Sequence, residues 1–332
     1  MLTVICPIYN EEKYIRQCID SIIAQDFPKK ELEVLFVDGI SNDNTRNIVA
    51  EYTIKYSFIK LLDNPQKIVP YAMNIGIREA TGDIIMRLDA HASYQNNYFS
   101  VLVEKLIELN ADNVGVVCKT DVLNKTPRTL AIREVLGNKF GVGNSTFRTG
   151  VDKVMEVDTV PFGCWRREVF DKYGLYDTRL IRNQDIELNK RILHGGGKIF
   201  IVPDTYCTYL ARETFSGIAK NNFANGKWNI LTVFYTHQIG SLSVRHFIPL
   251  IFVLSVILPT LGSIFLTPLA GIAIISLLSY LLALGTISAQ LAISKRLNFI
   301  YLLCSFIILH ISYGIGSFAG LLKLPFIKND KQ

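Results

Sequence analysis

A carboxylate, a spacer and an imidazole stand in a row at Asp89-Ala90-His91, directly after the short apolar run Ile84 to Leu88. On an extended chain the first and third of these side chains point to one side and Ala90 to the other. An oxygen and a nitrogen so placed can hold a divalent cation, and such a cation can hold a diphosphate. The rival reading is an ordinary Asp/His turn at a strand end. Two earlier strand ends carry polar residues where a nucleotide would lie. One is Pro7-Ile8-Tyr9-Asn10-Glu11, and the other is Asp38, a carboxylate able to accept hydrogen bonds from a base or ribose. A further carboxylate, Asp185, opens a segment with Ile186, Leu188 and Ile192 at apolar positions, where it would stabilise a helix N-terminus.

Such side chains need a scaffold that gathers strand ends. Leu2 to Cys6 reads as a strand, and Asn10 as the N-cap of a helix carrying Ile15, Cys18, Ile19, Ile22 and Ile23 on one face. Leu32 to Val37 is a second strand, and Ser41 to Thr45 caps a helix with Ile48, Val49 and Tyr52. Ile59 to Leu62 is a third strand, Ile68 to Ala80 a helix with Pro70 in its first turn, and Ile84 to Leu88 the fourth strand. This alternation predicts an α/β fold with a doubly wound, mostly parallel sheet, whose ligand crevice lies beyond the carboxyl ends of the strands. No G-x-G-x-x-G follows the first strand, which argues against a dinucleotide-binding fold. Residues 119–158 show no clear periodicity and read as an insertion. In it, Gly141-Val142-Gly143-Asn144 is either a loop over the site, lined by Phe147, Arg148 and Thr149, or plain surface. Gly163 would let an acceptor approach the backbone closely. Lys198 to Val202 is expected as the last strand, ended by Pro203.

The formal charge of the 332 residues is +6. Beyond Phe247 the only ionisable acid or base side chains of the Lys, Arg, Asp and Glu types are Lys295, Arg296, Lys323, Lys328, Asp330 and Lys331. Most of the excess charge therefore flanks an apolar tail, and it is no nucleic-acid footprint. The six cysteines show no C-x-x-C spacing and read as reduced core residues, which favours a cytosolic front domain. No signal-peptide pattern follows Met1. Phe247 to Leu266, Pro268 to Ile293 and Phe299 to Leu322 are each long enough to cross a bilayer core of about 30 Å. The expected organisation is a domain over 1–230, an interfacial linker over 231–246, and a membrane region over 247–332. Lys295 and Arg296 should face the cytoplasm. Three spans would then put Lys323, Lys328 and Lys331 outside, so either the third segment is re-entrant or interfacial, or the tail breaks the positive-inside tendency.

Several of these pieces, in this order, resemble one family. They are Val4 to Glu11, Val37 to Thr45, Asp63-Asn64-Pro65, Ile68 to Ile77, Arg87 to His91, Gly141 to Ser145 and Arg182 to Asn189. The first 230 residues are similar to family 2 glycosyltransferases of the GT-A fold, and more narrowly to the succinoglycan-biosynthesis type of membrane-attached bacterial enzyme. The resemblance implies that Pro7, Tyr9, Glu11 and Asp38 contact the nucleoside of a UDP-sugar. It implies that Asp89 and His91 bind Mn²⁺ or Mg²⁺ on the diphosphate, with His91 standing where the family usually has Asp. It implies that Asp185 is the general base of an inverting transfer, beside Gln184 on the acceptor side where the family usually has Glu. The processive members carry Q-x-x-R-W. Here Ala224 replaces the Gln and Lys227 the Arg, so a long processive polymerase is disfavoured. Lys227 would pair with the diphosphate as a point charge, and Trp228 either belongs to the same motif or marks the membrane interface. The implied acceptor is lipid-linked or a saccharide, in bacterial surface polysaccharide synthesis at the plasma membrane. The rival is a non-catalytic, nucleotide-sugar-binding membrane scaffold, since Gln184, His91 and Lys227 all depart from the family pattern.

Overall fold

The structure is a computed structural model that describes residues 1–237 and 242–327. In chain order the elements are β1 (Leu2–Ile8), α1 (Ile15–Ile23), β2 (Leu32–Asp38), α2 (Thr45–Lys55), β3 (Ile59–Asp63), α3 (Val69–Glu79), β4 (Ile84–Arg87), β5 (Ala92–Tyr94), α4 (Tyr98–Glu108) and β6 (Asn113–Asp121). They continue with α5 (Pro127–Gly137), α6 (Lys139–Val142), α7 (Thr146–Thr149), β7 (Met155–Glu156), β8 (Cys164–Arg166), α8 (Glu168–Tyr173), α9 (Gln184–His194) and β9 (Ile199–Leu210). The last four helices are α10 (Phe215–Thr236), α11 (Ile248–Gly262), α12 (Pro268–Lys295) and α13 (Phe299–Lys323). Two compact units result, one of residues 1–119 and 146–210, the other of 120–145 and 211–332. The boundary expected at 230 falls inside α10. Lys328 and Lys331 lie outside the described residues.

The first unit is built on one mixed sheet in the order β3-β2-β1-β4-β8-β6-β9-β5, with β7 also paired to β9. β3, β2, β1 and β4 run parallel. Beyond β4 the sheet turns antiparallel through β8 and β6, so the parallel block is only part of it. β8 is three residues long, too short for a legible alternation. Successive residues of the inner strands feed opposite faces. Leu2, Val4, Cys6 and Ile8 of β1 and Leu32, Val34 and Phe36 of β2 meet α1, α2 and α4 on one face. Ile5, Leu35 and Val37 meet α3, α8 and α9 on the other. Each of these buried aliphatic side chains contributes about 1.5–3 kcal/mol. With helices covering both faces, the crevice beyond the strands' carboxyl ends is where polar side chains gather.

Asn10 does not cap α1. The helix starts at Ile15, and Asn10 takes a left-handed conformation (φ 56°). Its side-chain oxygen instead accepts from the Asn42 N–H, while its own N–H donates to Ser41 Oγ. The polar loops after β1 and β2 are thereby stitched together. β9 runs to Leu210 through Pro203, because that proline lies between the stretch paired with β7 and the stretch paired with β5.

In the second unit, residues 120–145 are no loose insertion. Thr126 and Thr129 form a reciprocal capping box ahead of Pro127 and start α5. Ala131, Ile132 and Val135 of that helix pack with Ile218, Leu284, Leu302, Phe306 and Leu309. Lys295 pairs with Glu134 at 2.8 Å, and His310 Nε2 lies 2.9 Å from the Phe140 carbonyl oxygen. Among the described residues, three helical stretches are long and apolar enough to cross a membrane: Val244–Gly262, Pro268–Lys295 and Phe299–Phe326. The third is the most covered by protein, because α10 lies along it. Gly226 and Gly316 allow that approach, since a Cβ on either would meet the opposite helix backbone at 2.0 Å.

Candidate functional site

The candidate site is built from the ends of β1, β2, β4 and β9 and the start of α9, all in the first unit. The ladder between β1 and β4 ends at Ile5 and Arg87, two residues before Pro7. The proline's missing N–H therefore falls where the strands have parted. Tyr9 follows, 43% exposed, with its ring against Gly39 and the Lys67 ammonium 5.7 Å from the ring centre. Glu11 is held by its N–H to Thr45 Oγ1 at 2.8 Å, and its Oε1 lies 3.4 Å from His91 Nδ1.

Asp38 is fully buried. Its carboxylate accepts from the Ser41 N–H, the Ser41 hydroxyl and Arg46 Nη1, the last at 2.6 Å. Arg46 also reaches Asp63 at 2.7 Å. Asp38 thus fixes the loop of residues 39–46. Its partner Arg46 carries no motif that sequence reading picked out.

Past β4, Asp89 and His91 are partly exposed while Ala90 is buried in the core. The Asp89 backbone is pinned on both sides by Tyr94 Oη, at 2.8 and 3.1 Å. Its Oδ1 accepts from Arg87 Nε and Nη2 at 3.3 and 3.1 Å. Arg87 is buried, lies over the Phe162 ring, and keeps Nη1 without a hydrogen-bond partner. Burial weighs against its charge. The surrounding negative groups, Asp89 first and Asp185 among them, outweigh burial and raise its pKa. The buried Tyr176 hydroxyl sits beside the same guanidinium with no partner of normal geometry.

Asp185 is in the first turn of α9, half-buried, with Oδ1 accepting from the Ile186 N–H at 2.9 Å. The left-handed Asn183 (φ 61°) turns the chain into that helix. Gln184 is buried with Oε1 unpartnered. Glu187 is buried and doubly bonded to Arg191 at 2.6 and 2.9 Å, which marks it as structural. Lys227 and Trp228, expected at the diphosphate and at the interface, stand on α10 in the second unit.

Gly163 is needed by the fold itself. Its φ is +74°, and a Cβ there would lie 2.3 Å from the Trp165 ring and 2.7 Å from Asn113 Oδ1. Its carbonyl accepts the Arg87 N–H at 3.1 Å, so it also holds the site strand. Gly163→Ala should lower stability by about 1–3 kcal/mol. Thermal unfolding checks this; an unchanged midpoint would mean that the glycine serves acceptor access alone.

The donor set fits a divalent cation that takes its other ligands from a phosphate. Asp89 Oδ2 stands outside the Arg87 pair, and His91 adds an imidazole nitrogen. Among the described residues no group of three His, Cys, Asp or Glu side chains could hold a metal unaided.

The model of the family described as "Glycosyl transferase family 2" matches residues 3–174, just over half of the chain. A Methanococcus voltae protein named dolichyl N-acetyl-alpha-D-glucosaminyl phosphate 3-beta-D-2,3-diacetamido-2,3-dideoxy-beta-D-glucuronosyltransferase is 26% identical over 278 residues, covering 78% of this chain and 86% of its own. The succinoglycan biosynthesis protein ExoA of Rhizobium meliloti (strain 1021) is 28% identical over 235 residues, covering 68% and 67%. The solved structure of the mannosyltransferase PcManGT from Pyrobaculum calidifontis, in complex with GDP-Man and Mn²⁺, aligns with a TM-score of 0.58 at 19% identity, over 100% of this chain and 88% of that one. At that identity the likeness concerns the fold alone, and the fold is the GT-A type.

Proposed function

The chain belongs to glycosyl transferase family 2, and on that premise we propose that it moves a sugar from a nucleotide donor, UDP-linked, to a lipid-linked or saccharide acceptor with inversion at the anomeric carbon. The observation that carries this reading is a pair of partly buried carboxylates at the strand ends: Asp89 accepts from the buried guanidinium of Arg87, and the charge of Asp185 acts on the same group.

Asp185 takes the proton of an acceptor hydroxyl as that oxygen attacks the anomeric carbon. The bond from that carbon to the diphosphate oxygen breaks, and the nucleoside diphosphate leaves with the bonding electron pair. Pro7, Tyr9 and Glu11 receive the nucleoside, with Asp38 holding their neighbouring loop. Asp89 and His91 would hold a Mn²⁺ or Mg²⁺ ion that stabilises the charge developing on the leaving diphosphate. Gln184 and Gly163 are assigned to the acceptor side, and Arg87 keeps Asp89 oriented. The names of the relatives support a polysaccharide or lipid-linked oligosaccharide setting. A panel of UDP- and GDP-sugars tests the reading with purified full-length protein, Mn²⁺ or Mg²⁺ and a membrane lipid extract. Nucleoside diphosphate release and labelled lipid product are expected from one donor; turnover with none of them sinks it.

The three apolar helices support attachment to a membrane. In this reading the first unit faces the cytoplasm, where nucleotide-sugars are made, as does the turn at Lys295-Arg296. In a cysteine-free background, Arg296→Cys should react with an impermeant maleimide only after the membrane is opened. Labelling of intact cells or spheroplasts would reverse the orientation.

A further inference from the structure

We infer, on the reading that the acceptor is lipid-linked, that the seam between α10 and α13 holds the acceptor's lipid carrier. That carrier is a polyprenyl chain ending in phosphate or diphosphate, with Lys220 at its anionic head.

The seam lies within the second unit. Phe215 meets Tyr301 near the start of both helices, and Gly320 comes against the Lys227 carbonyl further along, so α10 and α13 run in the same direction. Gly226 and Gly316 bring the two backbones together. Ahead of that approach, along residues 219–223 of α10 and 307–315 of α13, a groove of about 550 Å³ remains open. That volume is within the range of ligand sites. Ala219 and Phe223 line it from α10, and Ile307, Ile311 and Ile315 from α13. The Ser312 hydroxyl, also at the groove, donates back to the Ile308 carbonyl. Its donor is satisfied within the helix, and the α13 side presents hydrocarbon.

Charge selects the occupant. In a bilayer, an apolar groove gains little by exchanging one hydrocarbon chain for another, because lipid tails are as apolar as its walls. Discrimination must come from the polar end of the lipid. Among the described residues that line the groove only Lys220 is charged, and it is exposed. An ammonium beside lipid is costly unless it reaches water or an anion. A phosphate at the end of a chain laid along the seam supplies that anion, while the Lys220 stem covers apolar wall. A neutral lipid offers Lys220 no anion, and free phosphate offers the groove no hydrocarbon. A single seam between two helices suits one chain with a terminal phosphate, rather than the paired chains of a phospholipid.

The experiment measures binding of a radiolabelled long-chain polyprenyl phosphate to the full-length protein in phosphatidylcholine nanodiscs. Wild type should bind it saturably, and excess polyprenol, phosphatidylglycerol or inorganic phosphate should displace it poorly. Lys220→Gln should weaken binding by about fivefold, as for one lysine beside an anionic lipid head, and Lys220→Arg should restore it. Ile311→Trp, which fills the groove, should weaken it by about tenfold or more. Both weakened variants should still bind the nucleoside diphosphate as wild type does, which checks their folding. Should Ile311→Trp fail to fold, the two Lys220 variants decide. Unchanged lipid affinity in either folded variant overturns the inference. Displacement by phosphatidylglycerol as effective as by unlabelled polyprenyl phosphate also overturns it, since it marks an ordinary anionic-lipid contact. Wild type that releases nucleoside diphosphate from a donor but binds no polyprenyl phosphate overturns the inference and leaves the donor reading intact. Wild type that turns over no donor overturns the donor reading and the acceptor role of this groove together.

Discussion

Asp185→Asn should express normally, bind the nucleoside diphosphate as wild type does, and transfer sugar at least about a hundredfold more slowly. The substitution keeps the shape of the side chain and removes its basicity. Asp185 has two possible duties that make different predictions. As a helix-terminal charge it contributes about 0.3–1 kcal/mol to stability, which shows as a small shift in unfolding and little in kcat. As a general base it contributes about 10²–10⁴-fold to rate and little to stability. The geometry favours a base that is already positioned. Its Oδ1 is held by the Ile186 N–H, its surroundings are half-buried, and its field reaches Arg87 at the end of β4. Glu187, one turn position away in the same helix start, cannot take over while both its oxygens are engaged by Arg191. Near wild-type transfer by Asp185→Asn would move the base elsewhere, with Asp158 the next to test. Gln184→Glu is the companion change. It restores the family's usual pair and should retain activity. Because Gln184 is buried with an unpartnered oxygen, that new carboxylate enters a costly place, and a modest loss of stability is expected.

The parallel half of the fold was legible because each of its strands is a compact apolar run closed by a polar break. Leu2–Ile8, Leu32–Asp38 and Ile84–Arg87 all end within two residues of the expected limits. The ends of those strands carry Tyr9, Asp38 and Asp89, so much of the site came with them. The antiparallel half was hidden for local reasons. β8 has three residues, and β9 runs through a proline that looks like a stop. The α5 start was missed because Thr129 fills the capping-box position usually held by Glu or Gln. The grouping of residues 120–145 with the apolar helices depends on contacts between residues far apart in the chain, such as Glu134 with Lys295, and no local pattern encodes these. Arg87 stands in the matched piece Arg87 to His91, yet no role for it could be read there, for a different reason. It sits inside an apolar strand, and its meaning comes from Phe162, Tyr176 and Asp185, all distant in sequence. Phe162 itself adopts a left-handed conformation (φ 64°), a strained choice for a bulky residue next to the site.

Replacement of Asp89 should be as damaging as replacement of Asp185, but through the donor. Asp89→Ala should abolish transfer, yet it also strands the buried Arg87 guanidinium, and breaking a buried pair costs about 3–5 kcal/mol. Lost activity in that variant would therefore mix chemistry with folding. Asp89→Asn separates the two. Its amide keeps an oxygen able to accept from Arg87, so thermal unfolding should move less than in Asp89→Ala, whereas the negative charge that attracts a cation is gone. Transfer should fall by at least about a hundredfold, because a cation supplies several kcal/mol of charge stabilisation to the leaving group. The Mn²⁺ concentration for half-maximal rate should rise in parallel. His91 is the softer position. His91→Asp replaces an imidazole by the carboxylate that most of the family carries, and it should keep activity. Its new carboxylate would face Glu11, whose Oε1 now lies 3.4 Å from the imidazole, so a cation becomes more necessary to hold the pair together. Activity of His91→Asp should accordingly be more sensitive to EDTA than that of wild type. If His91→Ala instead turns over at the wild-type rate with EDTA present, no cation is held there, and Asp89 serves only to orient Arg87.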